Sequence, residues 1–334
     1  MSTDRLHLDL GSRSYDILIA AELLAARACP ALEQAVAGRR LFVVTDSNVG
    51  PLYADSLAAL LVHNGGEVLA TEVFPAGEPA KNLRTLARFY DAAVDAGVDR
   101  QSLVVALGGG VTGDMAGFLA ATYMRGIDYI QAPTSLLAQV DSSVGGKTGI
   151  DLPGGKNLVG AFKQPRLVCI DLATLQTLPP RQLRCGLGEV IKYGVILDAD
   201  LFDRLADLGP ALLTPDAERY APIVKRCCEL KRDVVVADEE DRGGQRAILN
   251  YGHTFGHALE KVTGYGRMTH GEAVAVGMMM AAELAAARSG DRDLEQLCRQ
   301  QEGLLQAVNL PVRVDGVDPA QVLAAMRSDK KYEQ

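Results

Sequence analysis

The chain lacks any stretch that reads as a membrane span. Its most apolar segment, residues 273–287, is broken by Glu283 and falls short of the roughly 18 uncharged residues that cross a bilayer. C-x-x-C pairs are absent too: the six cysteines, Cys29, Cys169, Cys185, Cys227, Cys228 and Cys298, are scattered. That excludes a thiolate metal cage and a disulfide framework, and leaves reduced thiols. Positive charge is not in excess, because 34 Lys and Arg face 42 Asp and Glu for a net charge of -8. General nucleic-acid binding, which needs a basic face, is disfavoured, and any anionic ligand must be met by local cations. Low-complexity blocks and long charge runs are missing, and with 48% apolar and 23% charged residues the composition is that of a globular protein. No basic segment followed by an apolar core opens the chain, so no signal peptide is read and a cytoplasmic location is expected.

At 334 residues the chain exceeds the roughly 250 to 300 at which single cores stop growing, so two domains are expected. Residues 41–45 (LFVVT) and 103–107 (LVVAL) are short apolar runs ending in Asp46-Ser47-Asn48 and Gly108-Gly109-Gly110, as buried strands running into loops do. Further strands are expected at 129–132 and 167–170, and crossover helices at 52–63 and 83–96. This predicts an α/β domain with a parallel sheet over residues 1–178. Leu178-Pro179-Pro180-Arg181 interrupts any regular element and marks the boundary. Beyond it the periodicity is helical at 185–196, 220–236, 253–262 and 272–288, predicting an all-α domain over 179–334.

Residues 108–113 satisfy G-x-G-x-x-G after a strand and before a helix, where backbone N–H groups and a helix N-terminus hold a pyrophosphate. Glycine-rich turns after strands also serve plain chain reversal. Here an earlier strand ends at Asp46, a carboxylate suited to a ribose hydroxyl, so a variant dinucleotide domain fits. Residues 144–148 (VGGKT) imitate a triphosphate loop, but the first glycine of that motif falls on Asp141, whose charge would repel phosphate. Gly155-Lys156 is followed by Asn157 and has Ile150 at the first-glycine position. Neither is a triphosphate loop. Lys147 and Lys156, each glycine-flanked, point to an anion site rather than to solvated surface charge.

Of five histidines, His253, His257 and His270 fall within eighteen residues. The first two are four apart on one helix face, and such a trio points to a metal rather than to surface polar groups. H-E-x-x-H is absent, so a further ligand must come from elsewhere, and Glu189 is the candidate; it shares a helix face with Lys192 in an apolar, glycine-rich segment. His, His and Glu ligands suit a catalytic zinc with open positions.

Taken in order, residues 108–114 (GGGVTGD), 139–148 (QVDSSVGGKT), 155–162 (GKNLVGAF), 188–193 (GEVIKY), 228–231 (CELK), 249–258 (LNYGHTFGHA) and 270–274 (HGEAV) closely resemble the 3-dehydroquinate synthase family. The resemblance implies a homodimer of α/β and helical domains with the active site in the cleft between them. It also implies zinc, with Co2+ as a substitute, on Glu189, His253 and His270, leaving His257 to substrate or proton transfer. NAD+ would contact Asp46, Glu78, Lys81, Gly109, Gly110, Val111, Asp114, Thr134, Ser135, Lys147, Lys156, Thr174, Leu175 and Thr177. The substrate, an anionic sugar-acid phosphate, would meet Asp141, Lys147, Lys156, Asn157 and Lys330, with Arg125 reaching across the dimer. Catalytic roles fall by the same resemblance to Lys147, Lys192, Lys231, Arg246, Asn250 and His257. A pocket with several fixed cations suits a ligand carrying both carboxylate and phosphate.

The implied reaction is a carbon–oxygen lyase reaction of the shikimate pathway: transient oxidation by NAD+, β-elimination of phosphate, reduction, and intramolecular aldol closure, with no net redox change. Rival readings are another sugar-phosphate cyclase, an iron-type polyol dehydrogenase, and a non-enzymatic NAD-binding regulator. Related sequences continue for a few tens of residues beyond the motif at 329–331, so a chain shortened at its C-terminus is expected.

Overall fold

The computed structural model describes residues 3–26, 28–264 and 266–327. Two antiparallel strands, β1 (Asp4–Leu8) and β2 (Tyr15–Ala20), lead through α1 (Pro30–Val36) into an alternating series. The series comprises β3 (Arg40–Asp46), α2 (Gly50–His63), β4 (Glu67–Phe74), α3 (Leu83–Asp95), β5 (Leu103–Gly108), α4 (Gly110–Thr122) and β6 (Asp128–Pro133). A separate antiparallel hairpin follows, β7 (Lys147–Leu152) with β8 (Gly155–Phe162), and then β9 (Leu167–Asp171). The main sheet has seven strands in the order β1-β2-β9-β6-β5-β3-β4, parallel throughout except at the β1–β2 pair.

Strand alternation fills both faces of this sheet. Leu41, Val43, Leu103, Val105 and Leu107 point to one side, against α1 and α2 residues such as Leu32, Val36, Leu57 and Leu61. Phe42, Val44, Val104 and Ala106 point to the other, against Leu86, Phe89, Met115 and Leu119 of α3 and α4. A sheet covered on both faces needs strands apolar at every position, which is why these strands are continuous apolar runs.

The remaining helices are α5 (Pro180–Leu197), α6 (Ala199–Leu208), α7 (Ala217–Ala237), α8 (His253–Val262), α9 (His270–Ser289), α10 (Arg292–Ala307) and α11 (Pro319–Arg327). The chain divides into two compact units, Met1–Thr177 with Asp216–Glu239, and Leu178–Pro215 with Glu240–Gln334. This departs from the expected 1–178 and 179–334 in one element. Helix α7 returns to the α/β unit, packing on β1 and β2 and on the 138–142 segment. Pro180, expected to interrupt regular structure, opens α5 instead: in the first turn the missing N–H costs no hydrogen bond. In the helical unit Ala258, Leu259, Ala273 and Val276 of α8 and α9 form a core with Val322 and Ala325 of α11. No helix among the described residues is long and apolar enough to cross a membrane.

Candidate active site

In the α/β unit the chain runs from β3 to β4 on one side and then crosses to β5 on the other. The carboxyl ends of β3 and β5 therefore flank a topological switch point, the place where open α/β sheets bind dinucleotides. Asp46 ends β3, and the glycine run ends β5. Thr112 Oγ1 donates to Asp46 Oδ2 at 3.2 Å, while Asp46 Oδ1 accepts from the N–H groups of Asn48 and Val49. Helix α4 begins inside the motif, at Gly110, and no side chain caps it. A Cβ on Gly109 would lie 3.3 Å from Ser135 Oγ, and one on Gly110 would lie 3.0 Å from Ser142 Oγ. The loop thus lies flat against the 134–142 segment, and Thr134 N–H donates to Gly108 O at 3.0 Å. A bare helix N-terminus beside a carboxylate suits a dinucleotide's pyrophosphate and ribose.

The same unit gathers most of the expected cations. Lys81 Nζ donates to Asp114 Oδ2 at 2.5 Å and to Asn157 Oδ1 at 2.6 Å. Burial would lower the Lys81 ammonium, but Asp114 and Glu78 outweigh it and leave it above its usual value. Lys231 of α7 donates to the carboxylate and the backbone carbonyl of Asp141, both at 2.7 Å. Lys156 lies 3.6 Å from Glu78. Thr174 Oγ1 accepts from Gln139 Nε2 at 3.1 Å, and Thr177 meets Tyr53 at 2.5 Å. Lys147 is exposed at the start of β7. Arg125 is exposed and left-handed, with φ of 67°, beside Met124 with φ of 51°.

In the helical unit Glu189 of α5 is fully buried, and its Oε2 accepts a short hydrogen bond from Lys192, one helical turn on and equally buried. Its Oε1 has no hydrogen-bond partner, yet lies 3.5 Å from His253 Nε2 and 3.5 Å from His270 Nε2. Ligand atoms around a tetrahedral zinc at about 2.0–2.1 Å stand roughly 3.4 Å apart. One buried orphan oxygen facing two imidazole nitrogens at that spacing fits a metal. Burial would raise the Glu189 carboxyl, but the charges facing it, the Lys192 ammonium foremost, hold it well below the usual range, so it is a carboxylate ready to ligate. His253 Nδ1 lies 3.1 Å from the Tyr251 carbonyl, which only accepts, so Nδ1 donates there, and in the neutral ring the Nε2 lone pair is left for a metal.

Glycines let these helices meet. A Cβ on Gly188 would lie 2.8 Å from Gly271 O, and one on Gly271 would lie 2.0 Å from Cys185 O. Glu189 and His270 adjoin this crossing of α5 and α9. Helix α9 starts with a capping box between Thr269 and Glu272, and Arg181 grips the Glu272 carboxylate at 2.9 and 2.7 Å. Burial would raise the Glu272 carboxyl, but Arg181 and Thr269 outweigh it and lower it. A depressed carboxylate contributes stability that is fully present above its unfolded pKa of about 4.3 and is lost as pH falls further. Arg181→Ala is therefore expected to cost about 1 kcal/mol or less between pH 5 and 7, since Arg181 is half exposed, with the cost shrinking as acid protonates Glu272 below its usual range. Melting curves of both proteins across that range check this; a cost that grows on acidification contradicts it.

Glu189, Lys192, His253, His257 and His270 thus converge, with ring centroids of the three histidines 5.3 to 6.1 Å apart. Arg246, buried, and Asn250 lie in the Gln245–Asn250 turn, which packs on α5. Lys330 lies outside the described residues. Lys147 opens β7 and Gly155-Lys156 open β8, the two strands of a hairpin that was not read from the sequence. Glu260 was missed as well. It is buried, and its carboxylate joins His257 and His270 in a second group of possible metal donors, all within 4.8 Å of one another. The signal was present: His253, His257 and Glu260 follow the i, i+4, i+7 spacing of one helix face.

Family models described as the N-terminal and C-terminal parts of 3-dehydroquinate synthase match residues 71–185 and 186–332. The 3-dehydroquinate synthase of Desulforamulus reducens is 49% identical over 329 residues, covering 98% of this chain and 90% of the relative. Among solved structures, 2-epi-5-epi-valiolone synthase from Streptomyces hygroscopicus, with NAD+ and Zn2+ bound, is 31% identical with a TM-score of 0.85, covering 94% of this chain and 85% of that one. A 2-deoxy-scyllo-inosose synthase complexed with carbaglucose-6-phosphate, NAD+ and Co2+ is 28% identical with a TM-score of 0.82, covering 99% and 88%. The donor set around Glu189 and the glycine cradle beside Asp46 agree with the groups those structures hold, and the chain belongs to the 3-dehydroquinate synthase family.

Proposed function

We infer that the chain is a 3-dehydroquinate synthase, converting 3-deoxy-D-arabino-heptulosonate 7-phosphate to 3-dehydroquinate and phosphate for aromatic amino acid biosynthesis. The observation that carries this reading is identity of 49% across 98% of the chain with an enzyme of that activity. NAD+ supplies reversible hydride transfer, and a divalent metal, zinc or cobalt, polarises the reacting hydroxyl oxygens.

The protein's own contribution is positioning and charge. Glu189, His253 and His270 hold the metal. Asp46 takes the ribose hydroxyls, and the glycine loop with the α4 N-terminus takes the pyrophosphate, flanked by Thr134, Ser135 and the 174–177 turn. Lys147, Lys156, Lys231, Arg246 and Asn250 hold the substrate's phosphate and carboxylate, and Asp141 keeps Lys231 in place through its 2.7 Å contact. Lys192 balances Glu189, and His257 passes a proton at its ring nitrogen. The reaction is expected in the cytoplasm, in a homodimer whose partner is approached by Arg125.

Asp46→Ala is expected to weaken NAD+ binding by about 10- to 100-fold, the worth of hydrogen bonds to a charged group; titration of the metal-loaded protein with NAD+ measures it, and unchanged affinity removes Asp46 from the cofactor site. To test the substrate, phosphate release is compared between the heptulosonate phosphate and a hexose or heptose phosphate lacking the carboxylate. Release from the acid alone is expected. Release only from the sugar phosphates without a carboxylate would reassign the chain to another cyclase activity.

A further inference from the structure

We propose that Glu260 is a positioning residue for the metal centre, fixing the His270 ring so that its Nε2 faces the ion. This rests on the reading of Glu189, His253 and His270 as metal ligands. Glu260 is buried on α8, where a carboxylate needs a specific partner to remain charged. Its Oε2 lies 3.4 Å from His270 Nδ1, while Nε2 of the same ring lies 3.5 Å from the orphan Glu189 Oε1. A carboxylate only accepts, so the proton of the neutral ring sits on Nδ1 and the Nε2 lone pair points to Glu189. The two ligating histidines are thus oriented by different means. His253 donates to the backbone carbonyl of Tyr251, and His270, at the very start of α9, donates to a side chain on the neighbouring helix.

The seat of Glu260 is firm. Leu259 and Ala258 beside it are in the core with Ala273, and a Cβ on Gly256 would lie 3.2 Å from Ala273 O, so α8 and α9 approach closely just below the His270 turn. Glu260 also belongs to a second possible donor group with His257 and His270. One ring nitrogen cannot both donate to Glu260 and bind a metal beside it. A single ion per chain follows, on Glu189, His253 and His270.

The test measures binding of Co2+ and of Zn2+ to the full chain by competition with a chelator, for the parent, Glu260→Gln and Glu260→Leu. Loss of outer hydrogen-bond partners typically weakens metal binding by about 10- to 100-fold. Glu260→Gln, which keeps an accepting oxygen, is expected near the lower figure and Glu260→Leu near the upper, each with one ion per chain and unchanged NAD+ affinity. A merely structural role would lower the melting temperature of the metal-free protein and would weaken NAD+ and metal together, which would overturn the proposal. Equal metal affinity in all three proteins, or two ions per chain in the parent, would also overturn it. If Glu260→Leu fails to fold, the Gln variant alone decides. A parent that binds no metal overturns the metal reading itself, an outcome distinct from the others.

Discussion

Glu189→Gln is expected to weaken zinc binding beyond the roughly 100-fold that loss of an outer partner brings, and phosphate release should fall with it. The amide removes the negative charge on the oxygen that faces both His253 and His270 at 3.5 Å. The same change leaves the Lys192 ammonium buried beside a neutral group, and breaking a buried pair from one side costs about 3–5 kcal/mol. The two effects can be separated. A Glu189→Gln, Lys192→Met double variant removes both charges and should recover most of the lost stability while metal binding stays lost. Chelator competition and denaturant unfolding on the two variants provide the readouts. Recovery of metal affinity in the double variant, or full affinity in the single one, would remove Glu189 from the centre.

Gly271→Ala is expected to disable the protein from a position that touches no ligand. Its new Cβ would stand 2.0 Å from Cys185 O and 2.6 Å from Cys185 C, backbone atoms that cannot swing away as a side chain would. Helix α9 must move off α5, and His270, its first residue, moves with it. Overpacking of this kind costs about 1–3 kcal/mol or more, and a displacement of about 1 Å at a catalytic group lowers rate by roughly 100-fold. Gly303 in α10 is the control, exposed in a helix with nothing near its absent Cβ, and Gly303→Ala should be neutral or stabilising by up to about 1 kcal/mol. Unfolding curves and turnover of both variants decide. Equal behaviour would mean that the α5–α9 crossing does not hold the site.

These helices show how far the sequence could be read. The strands β3, β5 and β9 announce themselves because burial on both faces makes residues 41–44, 103–107 and 167–170 continuously apolar, and β6 follows the same pattern with Gln131 as a buried exception. Hairpin β7–β8 does not, since its glycines serve a backbone contact rather than a core: a Cβ on Gly160 would lie 2.0 Å from Thr148 O. Periodicity marks α7 as a helix, but which unit it joins is decided by partners far away in sequence, such as Asp141 under Lys231. The histidine cluster and Glu189 were both legible, the first from spacing and the second as a carboxylate in an apolar, glycine-rich segment; the close approach of α5 and α9 that Gly188 and Gly271 permit was not. The spacing puts Glu260 on the helix face of His253 and His257, but it carries no mark of the partner that Glu260 meets, the His270 ring ten residues on.

A redox-neutral cyclisation separates this chain from the dehydrogenase and regulator readings more sharply than any substitution. With metal, a catalytic amount of NAD+ and excess heptulosonate phosphate, phosphate release and absorbance at the NADH wavelength are followed together. Many phosphates released per NAD+, with no continuing rise in NADH, is the predicted result. NADH accumulating in step with substrate consumption, or no phosphate release at all, would contradict it.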